Sequence, residues 1–267
     1  MDYKTNGNDI IIKQNDFGLD ETLDCGQAFR WAKTKSDTYS GYFFNTPLTI
    51  SCESKSDGIF RLHNTDEETL FNVWYNYFDF DTDYGELKKQ FSEDETMAKA
   101  CEYAGGIRIL KQNSWEALTS FIISQNNNIP RIKGIISRLC EHYHGYPTVT
   151  DMSDETVESL GYLRSGFRAK YLIDAVSKLN NGEIDLNSIA KMPIDDARKA
   201  LMTIKGVGPK VAECVLLFGM YRVEAFPIDV WVKRVMERWY PNGLPDCIKG
   251  YEGIAQQYLF HYIRNLK

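Results

Sequence analysis

The sequence contains no closely spaced cysteine pair. Its six cysteines, Cys25, Cys52, Cys101, Cys140, Cys214 and Cys247, are scattered without a CxxC. That excludes an iron–sulfur cluster, which needs grouped thiolates, and suits a reducing compartment better than a disulfide framework. No run of about eighteen apolar residues occurs, and residues 1–9 lack the basic-then-apolar profile of a secretory signal. No membrane partner is expected, and the chain is expected to stay in the compartment where it is made. There is also no surplus of positive charge. With 31 basic against 37 acidic residues the net charge is −6, and taken globally this speaks against a nucleic-acid partner.

The charge is segregated, however. Residues 1–100 carry ten basic and nineteen acidic groups, net −9, whereas 101–267 are net +3. Ten acids between Asp66 and Glu95, against Lys88 and Lys89, hold most of the deficit. The simplest reading of that run is the solvated faces and flanks of helices. Residues 198–238 carry eight basic groups against four acids, and screening over about 10 Å at 0.1 M salt lets this local surplus prevail there.

What is present is an ordinary folded composition, 43% hydrophobic and 25% charged over 267 residues. The first sixty residues alternate as strands at Ile10–Ile12, Ala28–Thr34, Thr38–Phe44, Leu48–Cys52 and Gly58–Leu62, read as an antiparallel meander. From Asp66 onward the spacing becomes helical, with Leu70, Phe71, Trp74, Tyr75 and Phe78 three and four residues apart. Further helices are expected near 93–104, 114–124, 129–142, 154–161, 167–180, 194–203, 209–220, 229–239 and 251–265. The class is α+β, an N-terminal antiparallel β-rich domain over 1–95 followed by a helical domain over 96–267. The absence of βαβ alternation argues against a dinucleotide-binding α/β fold.

The chemistry concentrates in Leu201-Met-Thr-Ile-Lys-Gly-Val-Gly-Pro-Lys-Val-Ala-Glu-Cys214. Gly206 and Gly208 permit a tight hairpin with positive φ, and Pro209 fits the first position of the following helix. A helix–hairpin–helix over about 195–221 would leave free N–H groups at a positively poled helix start. Such a start favours an anion, most naturally a nucleic-acid phosphate. Lys210 lies in that first turn, where the dipole disfavours an ammonium, so its placement needs a reason. Asp229, in Phe226-Pro-Ile-Asp229-Val, suits a helix N-cap, and capping alone could account for it. An amine and a carboxylate at neighbouring helix starts are also what nucleophilic amine chemistry requires.

The hairpin followed by Pro227-Ile-Asp229 resembles the signature of base-excision DNA glycosylases, with the lysine of the bifunctional members. Three more segments resemble the 8-oxoguanine DNA glycosylase/AP lyases of the helix-hairpin-helix superfamily. They are Cys25-Gly-Gln-Ala-Phe-Arg-Trp31, Ser124-Gln-Asn-Asn-Asn-Ile-Pro-Arg131 and Ala255-Gln-Gln-Tyr-Leu-Phe260. The resemblance spans nearly the whole chain. It implies a TATA-binding-protein-like β domain, two helical subdomains with the site in the cleft between them, and duplex DNA carrying oxidised guanine as partner. It implies no cofactor, and no metal-ligating side chain is assigned, although the hairpin carbonyls hold a structural cation in some relatives; a monomer is expected, acting in a prokaryotic cytoplasm at the nucleoid or in a eukaryotic nucleus. Lys210 and Asp229 would be catalytic. Gly26, through its carbonyl, with Pro227, Cys214, Gln256 and Phe260 would hold the flipped base. Asn126, Arg131 and Arg168 would face the orphaned base beside the wedge Phe167, and Gly206, Gly208 and Val211 would bind phosphate. Three positions depart from the pattern: Trp231 where animal members have histidine, Ile263 where they have aspartate, and Ala28 in place of a serine. The competing readings are a glycosylase for another damaged purine and a non-catalytic duplex-binding module. His142 and His144, two apart, splay on a helix and make a poor metal pair.

Overall fold

The computed structural model describes residues 1–266. Two compact units emerge, Met1–Lys111 with Ile228–Lys267, and Gln112–Pro227. This grouping differs from a division at residue 95. The composition shift marks where the strands and acids end, whereas residues 107–110 are bound back into the first unit. Arg108 lies at the centre of that attachment. Its guanidinium donates to the carbonyls of Asp16 (2.8 Å), Asn15 (3.1 Å) and Asp79 (2.6 Å) and stacks 4.5 Å from the Tyr84 ring. Burial lowers its pKa, opposed mainly by Tyr84 and Asp79.

The first unit is built on one six-stranded antiparallel sheet. Its strands are β1 (Asp2–Asn6), β2 (Asp9–Lys13), β3 (Ala32–Lys35), β4 (Thr38–Phe43), β5 (Thr46–Ser54) and β6 (Ile59–His63), in the order β1-β2-β6-β5-β4-β3. The expected meander holds only for β3 to β6. The hairpin β1–β2 instead closes onto β6, pairing Ile10 with Leu62 and Ile12 with Phe60. The register continues through Leu62 to Ile50 and from Ile50 to Tyr39. Ile10, Leu62, Ile50 and Tyr39 therefore form one buried row across four strands, the period-2 face that fixes the register.

Over that face lie Phe17, Trp31, Trp74 and Phe78. Trp31 Nε1 donates to Tyr77 Oη at 2.7 Å, satisfying a donor that burial would otherwise strand. A Cβ at Gly41 would fall 2.4 Å from the Trp31 ring, so a glycine is needed there to admit the indole. Asp66 caps the following helix, accepting from Thr69 N at 2.7 Å.

Four local expectations change. The strand over 28–34 shortens to Ala32–Lys35, because Ala28, Phe29 and Trp31 are all buried without alternation. A helix Tyr84–Phe91, unanticipated, is capped by Asp83 accepting from Glu86 N. Residues 154–161 do not form an α-helix. The amides of Thr156 and Ser159 each donate to the other's hydroxyl, at 2.8 and 3.1 Å, and the segment makes a 3₁₀ turn, Ser159–Leu163. This is the usual competition of short hydroxyl side chains with helical bonding. The helix opened by Pro209 is α only to Cys214 and continues as a π-turn, Val215–Gly219. There Ser114 Oγ donates to Gly219 O at 2.6 Å, and a Cβ on Gly219 would lie 2.8 Å from Ala117 Cβ. The C-terminal helix Glu252–Asn265 returns to the first unit, with Tyr258 against Phe91 and Tyr262 against Tyr103 and Trp239.

Candidate active site

In the second unit, helix Ile194–Met202 leads into the hairpin. Val207 N donates to Ile204 O at 3.0 Å, and Gly206, at φ +80°, turns the chain. A side chain there would also meet the Tyr171 ring at 2.4 Å. Gly208 departs from the expectation of positive φ. Its φ of −95° and ψ of −178° are extended, and a Cβ there would meet nothing within 4 Å. It is the N-cap of Pro209–Cys214, and no side chain caps that end. Pro209 has no N–H, and Ala212 N already donates to Gly208 O at 3.0 Å. The amides of Lys210 and Val211 are thus left without an intrahelical partner at the helix start, an arrangement that suits an anion.

Lys210 is half-buried on this first turn. Its Nζ lies 5.3 Å from the centroid of Phe121, which stacks on Phe218 at 5.3 Å. Cys214, one turn later, is buried, as is Pro227. Glu213 accepts from Phe226 N at 2.7 Å and from Arg198 Nε. The Glu213 carboxylate holds the Arg198 guanidinium above its ordinary pKa. One buried carboxylate thereby ties the lysine's helix to Phe226 within the second unit.

The Asn-rich connection is in the same unit. Asn126 adopts φ +47° and is exposed, a left-handed conformation that asparagine tolerates. Asn128 caps helix Ile129–His142, accepting from Arg131 N at 3.0 Å, and the Arg131 side chain is exposed. Arg168 differs: only 2% exposed, it donates to the carbonyls of Gln125 (2.8 Å), Asn126 (2.9 Å) and Ser165 (3.0 Å). Burial first, and then the Arg131 cation, lower its pKa. Phe167, 45% exposed on the 3₁₀ turn Gly166–Arg168, stands with its ring 4.5 Å from the Arg168 guanidinium.

In the first unit, Asp229 caps Val230–Trp239, its Oδ1 accepting from Trp231 N and Val232 N, both at 2.9 Å. Arg234 covers the Trp231 ring at 4.6 Å. Gly26 sits in a turn at φ +92° between buried Cys25 and Gln27. Burial raises the Cys25 thiol to about 11, so it stays protonated at neutral pH. Gln256 is buried, its Oε1 accepting from Gln257 Nε2 at 2.7 Å. Phe260, one turn on, is half-buried with Arg264 5.0 Å from its ring centroid. Ile263 is buried on the same helix. Among the expected residues, Lys210 belongs to the second unit and Asp229 to the first.

Two family models cover most of the chain. Residues 9–118 match the 8-oxoguanine DNA glycosylase N-terminal domain, and 119–246 match the HhH-GPD superfamily of base excision DNA repair proteins. The N-glycosylase/DNA lyase of Saccharomyces cerevisiae is 32% identical over 274 residues, spanning 86% of this chain and 70% of the yeast protein. The chain belongs to the 8-oxoguanine DNA glycosylase family. The N-glycosylase/DNA lyase OGG1 of Arabidopsis thaliana is 29% identical over 89% of this chain and 69% of its own length. The solved 8-oxoguanine glycosylase/lyase of Clostridium acetobutylicum, in complex with duplex DNA containing cytosine opposite 8-oxoguanine, is 36% identical. It has a TM-score of 0.90 over 99% of this chain and 98% of that one. The resemblance read from four short segments is thus a family relationship along the whole chain.

Within this family member, sequence reasoning missed the work of Glu213 and of the buried Arg168. For Glu213 a signal existed: it is the only charge in the otherwise apolar stretch Val211–Gly219. Glu213→Gln keeps an acceptor for Phe226 N–H and is expected to cost about 1 kcal/mol. Glu213→Ala strands both partners and is expected to cost about 3 kcal/mol, at the low end for a broken buried pair because Arg198 is partly exposed. Urea unfolding of both variants checks this; equal losses would mean the ion pair matters and the amide bond does not.

Proposed function

We propose that this chain is a bifunctional DNA glycosylase/AP lyase that excises 8-oxoguanine from duplex DNA, acting as a monomer through a Schiff base on Lys210. The observation that carries the reading is an amine on the first turn of a helix whose N-terminus is open to a phosphate, in a member of this family. The Lys210 Nζ lone pair attacks C1′ of the flipped nucleotide. The C1′–N9 bond breaks, and its electron pair leaves with the base, which takes up a proton. Asp229 stabilises the developing sugar cation. The aminal opens to an imine as the ring oxygen leaves as a hydroxyl. Loss of the acidified C2′ proton then expels the 3′ phosphate. No cofactor enters these steps.

Gly26 O accepts from the hydrogen that oxidation places on N7, Gln256 binds the Watson–Crick edge and Phe260 stacks on the base, the usual means of holding a flipped base. Pro227 and Cys214 contribute wall. Arg131 and Asn126 face the orphaned base, its acceptors suiting a planar guanidinium. Arg168, bound to the carbonyls of Gln125 and Asn126, holds that loop in shape. Phe167 wedges the opened stack. The amides at Gly206, Gly208 and Val211 take phosphate. Where Trp231 replaces a histidine, Arg234 on its face offers a cation instead.

Base release and nicking on duplexes carrying 8-oxoguanine opposite each of the four bases test the reading, with cytosine expected to give the fastest release. Release independent of the lesion would overturn it. Because backbone amides supply much of the grip, binding should weaken only gently with salt, log K falling by about 0.9 per phosphate neutralised.

A further inference from the structure

We propose that Gln27 and Thr22 are positioning residues that aim the Gly26 carbonyl and so set the discrimination between 8-oxoguanine and guanine. The inference rests on the reading of that carbonyl as the acceptor for the lesion's N7 hydrogen.

The turn Cys25-Gly26-Gln27 lies outside the sheet and outside the short helix Leu19–Leu23. A glycine at φ +92° has the widest conformational freedom of any residue, so its carbonyl direction must be imposed from elsewhere. The Gln27 side chain, 1% exposed, supplies the constraint. Its Nε2 donates to Arg108 O at 2.8 Å and to Thr22 O at 2.9 Å, and its Oε1 accepts from Leu110 N at 2.9 Å. Arg108 O and Leu110 N are the groups that a neighbouring strand would engage. The carboxamide therefore stands in for a strand residue and pins the turn to the 106–110 segment.

Thr22, wholly buried, makes the second tie. Its hydroxyl donates to Gly106 O at 2.9 Å and accepts from Arg108 N at 3.2 Å, while its carbonyl receives both Gln27 and the Cys25 thiol, the latter at 3.5 Å. The anchoring segment is itself immobilised by the Arg108 guanidinium on the carbonyls of Asn15, Asp16 and Asp79. The Gln27 and Thr22 side chains and Arg108 are buried and their polar atoms paired, the condition under which a hydrogen-bond network rigidifies what it holds. Rigidity matters because the two bases differ, at this carbonyl, by one hydrogen. The carbonyl attracts N7–H and repels the bare N7 lone pair only if held at hydrogen-bonding distance, since both effects fade quickly beyond it.

Single-turnover excision from an 8-oxoguanine duplex, nicking of an abasic duplex, and binding to lesion and undamaged duplexes in the Lys210→Gln background together test the proposal. Gln27→Met and Thr22→Val are expected to lower 8-oxoguanine excision roughly tenfold to a hundredfold, the cost of displacing a positioned group by about an ångström. They should narrow the lesion-to-undamaged affinity ratio and reduce abasic nicking far less, because an abasic site has no base to read. Thr22→Ser, which keeps the hydroxyl, should retain the wild-type ratio. If Gln27→Met fails to fold, the comparison of Thr22→Val with Thr22→Ser decides. Full discrimination in Thr22→Val, or a proportional loss of abasic nicking, would overturn the positioning role. Equal binding of lesion and undamaged duplex by the Lys210→Gln protein with its clamp intact would instead overturn the reading of Gly26.

Discussion

Lys210→Gln is expected to abolish both the borohydride-trapped covalent adduct and strand nicking, with base release falling on the order of 10³-fold or more, as removal of a nucleophile does. Glutamine keeps a polar side chain of nearly the same reach but has no amine lone pair to form the imine. The fold should survive the change. Lys210 is half-buried, and the contact it gives up, its ammonium 5.3 Å from the Phe121 ring, is worth about 1 kcal/mol at a partly exposed position. Binding to lesion duplex should persist, since Gly206, Gly208 and the helix amides are unchanged. Gel detection of the trapped complex is the direct measurement, and an adduct that survives in Lys210→Gln would place the Schiff base elsewhere.

Asp229 allows capping to be separated from chemistry. Its Oδ1 accepts from two amides at the start of Val230–Trp239, and an asparagine oxygen can accept the same two bonds. Asp229→Asn should therefore unfold close to the wild-type temperature, while excision falls on the order of 10²- to 10³-fold as the charge opposite the developing sugar cation disappears. Asp229→Ala should lose the same activity and, in addition, about 1 kcal/mol of stability through the missing cap. The pairing of rate with melting temperature in the two variants is the check. If the asparagine variant excised the lesion at the wild-type rate, Asp229 would be a cap and nothing more.

Helices with a clear apolar period were legible in the sequence: 114–124 and 129–142 fall within the bounds read for them. The strands Thr38–Phe43 and Ile59–His63 were legible within a residue at each end. Pairing was not. That β2 lies against β6 depends on a register among Ile10, Leu62 and Ile50 that alternation alone leaves open. The 3₁₀ turn at Ser159–Leu163 was hidden because Thr156 and Ser159 prefer each other's backbone to a helix. Among site residues, the hairpin was readable because glycine, glycine and proline have few other uses at that spacing. The commitment of Arg168 to three carbonyls was not, since an arginine in a loop reads as exposed charge until its partners are placed. Gln27 left still less trace: nothing in a glutamine's neighbours along the chain announces an amide paired some eighty residues away.

The first unit is assembled from two segments, Met1–Lys111 and Ile228–Lys267, with Gln112–Pro227 inserted between them. During synthesis the sheet precedes the inserted unit, and the helix bearing Gln256 and Phe260, which covers Phe91 and Tyr103, follows it. Closing so long an insertion costs little more than closing a short one, because loop entropy grows only with the logarithm of length. The cost is instead one of time, as contacts so distant in sequence form slowly. The nascent chain can complete its hairpin and present Lys210 while the first unit still lacks its final helix. The helix proposed to hold the flipped base is thus finished after the amine-bearing hairpin, whereas the Gly26 turn proposed to read N7 is made before both.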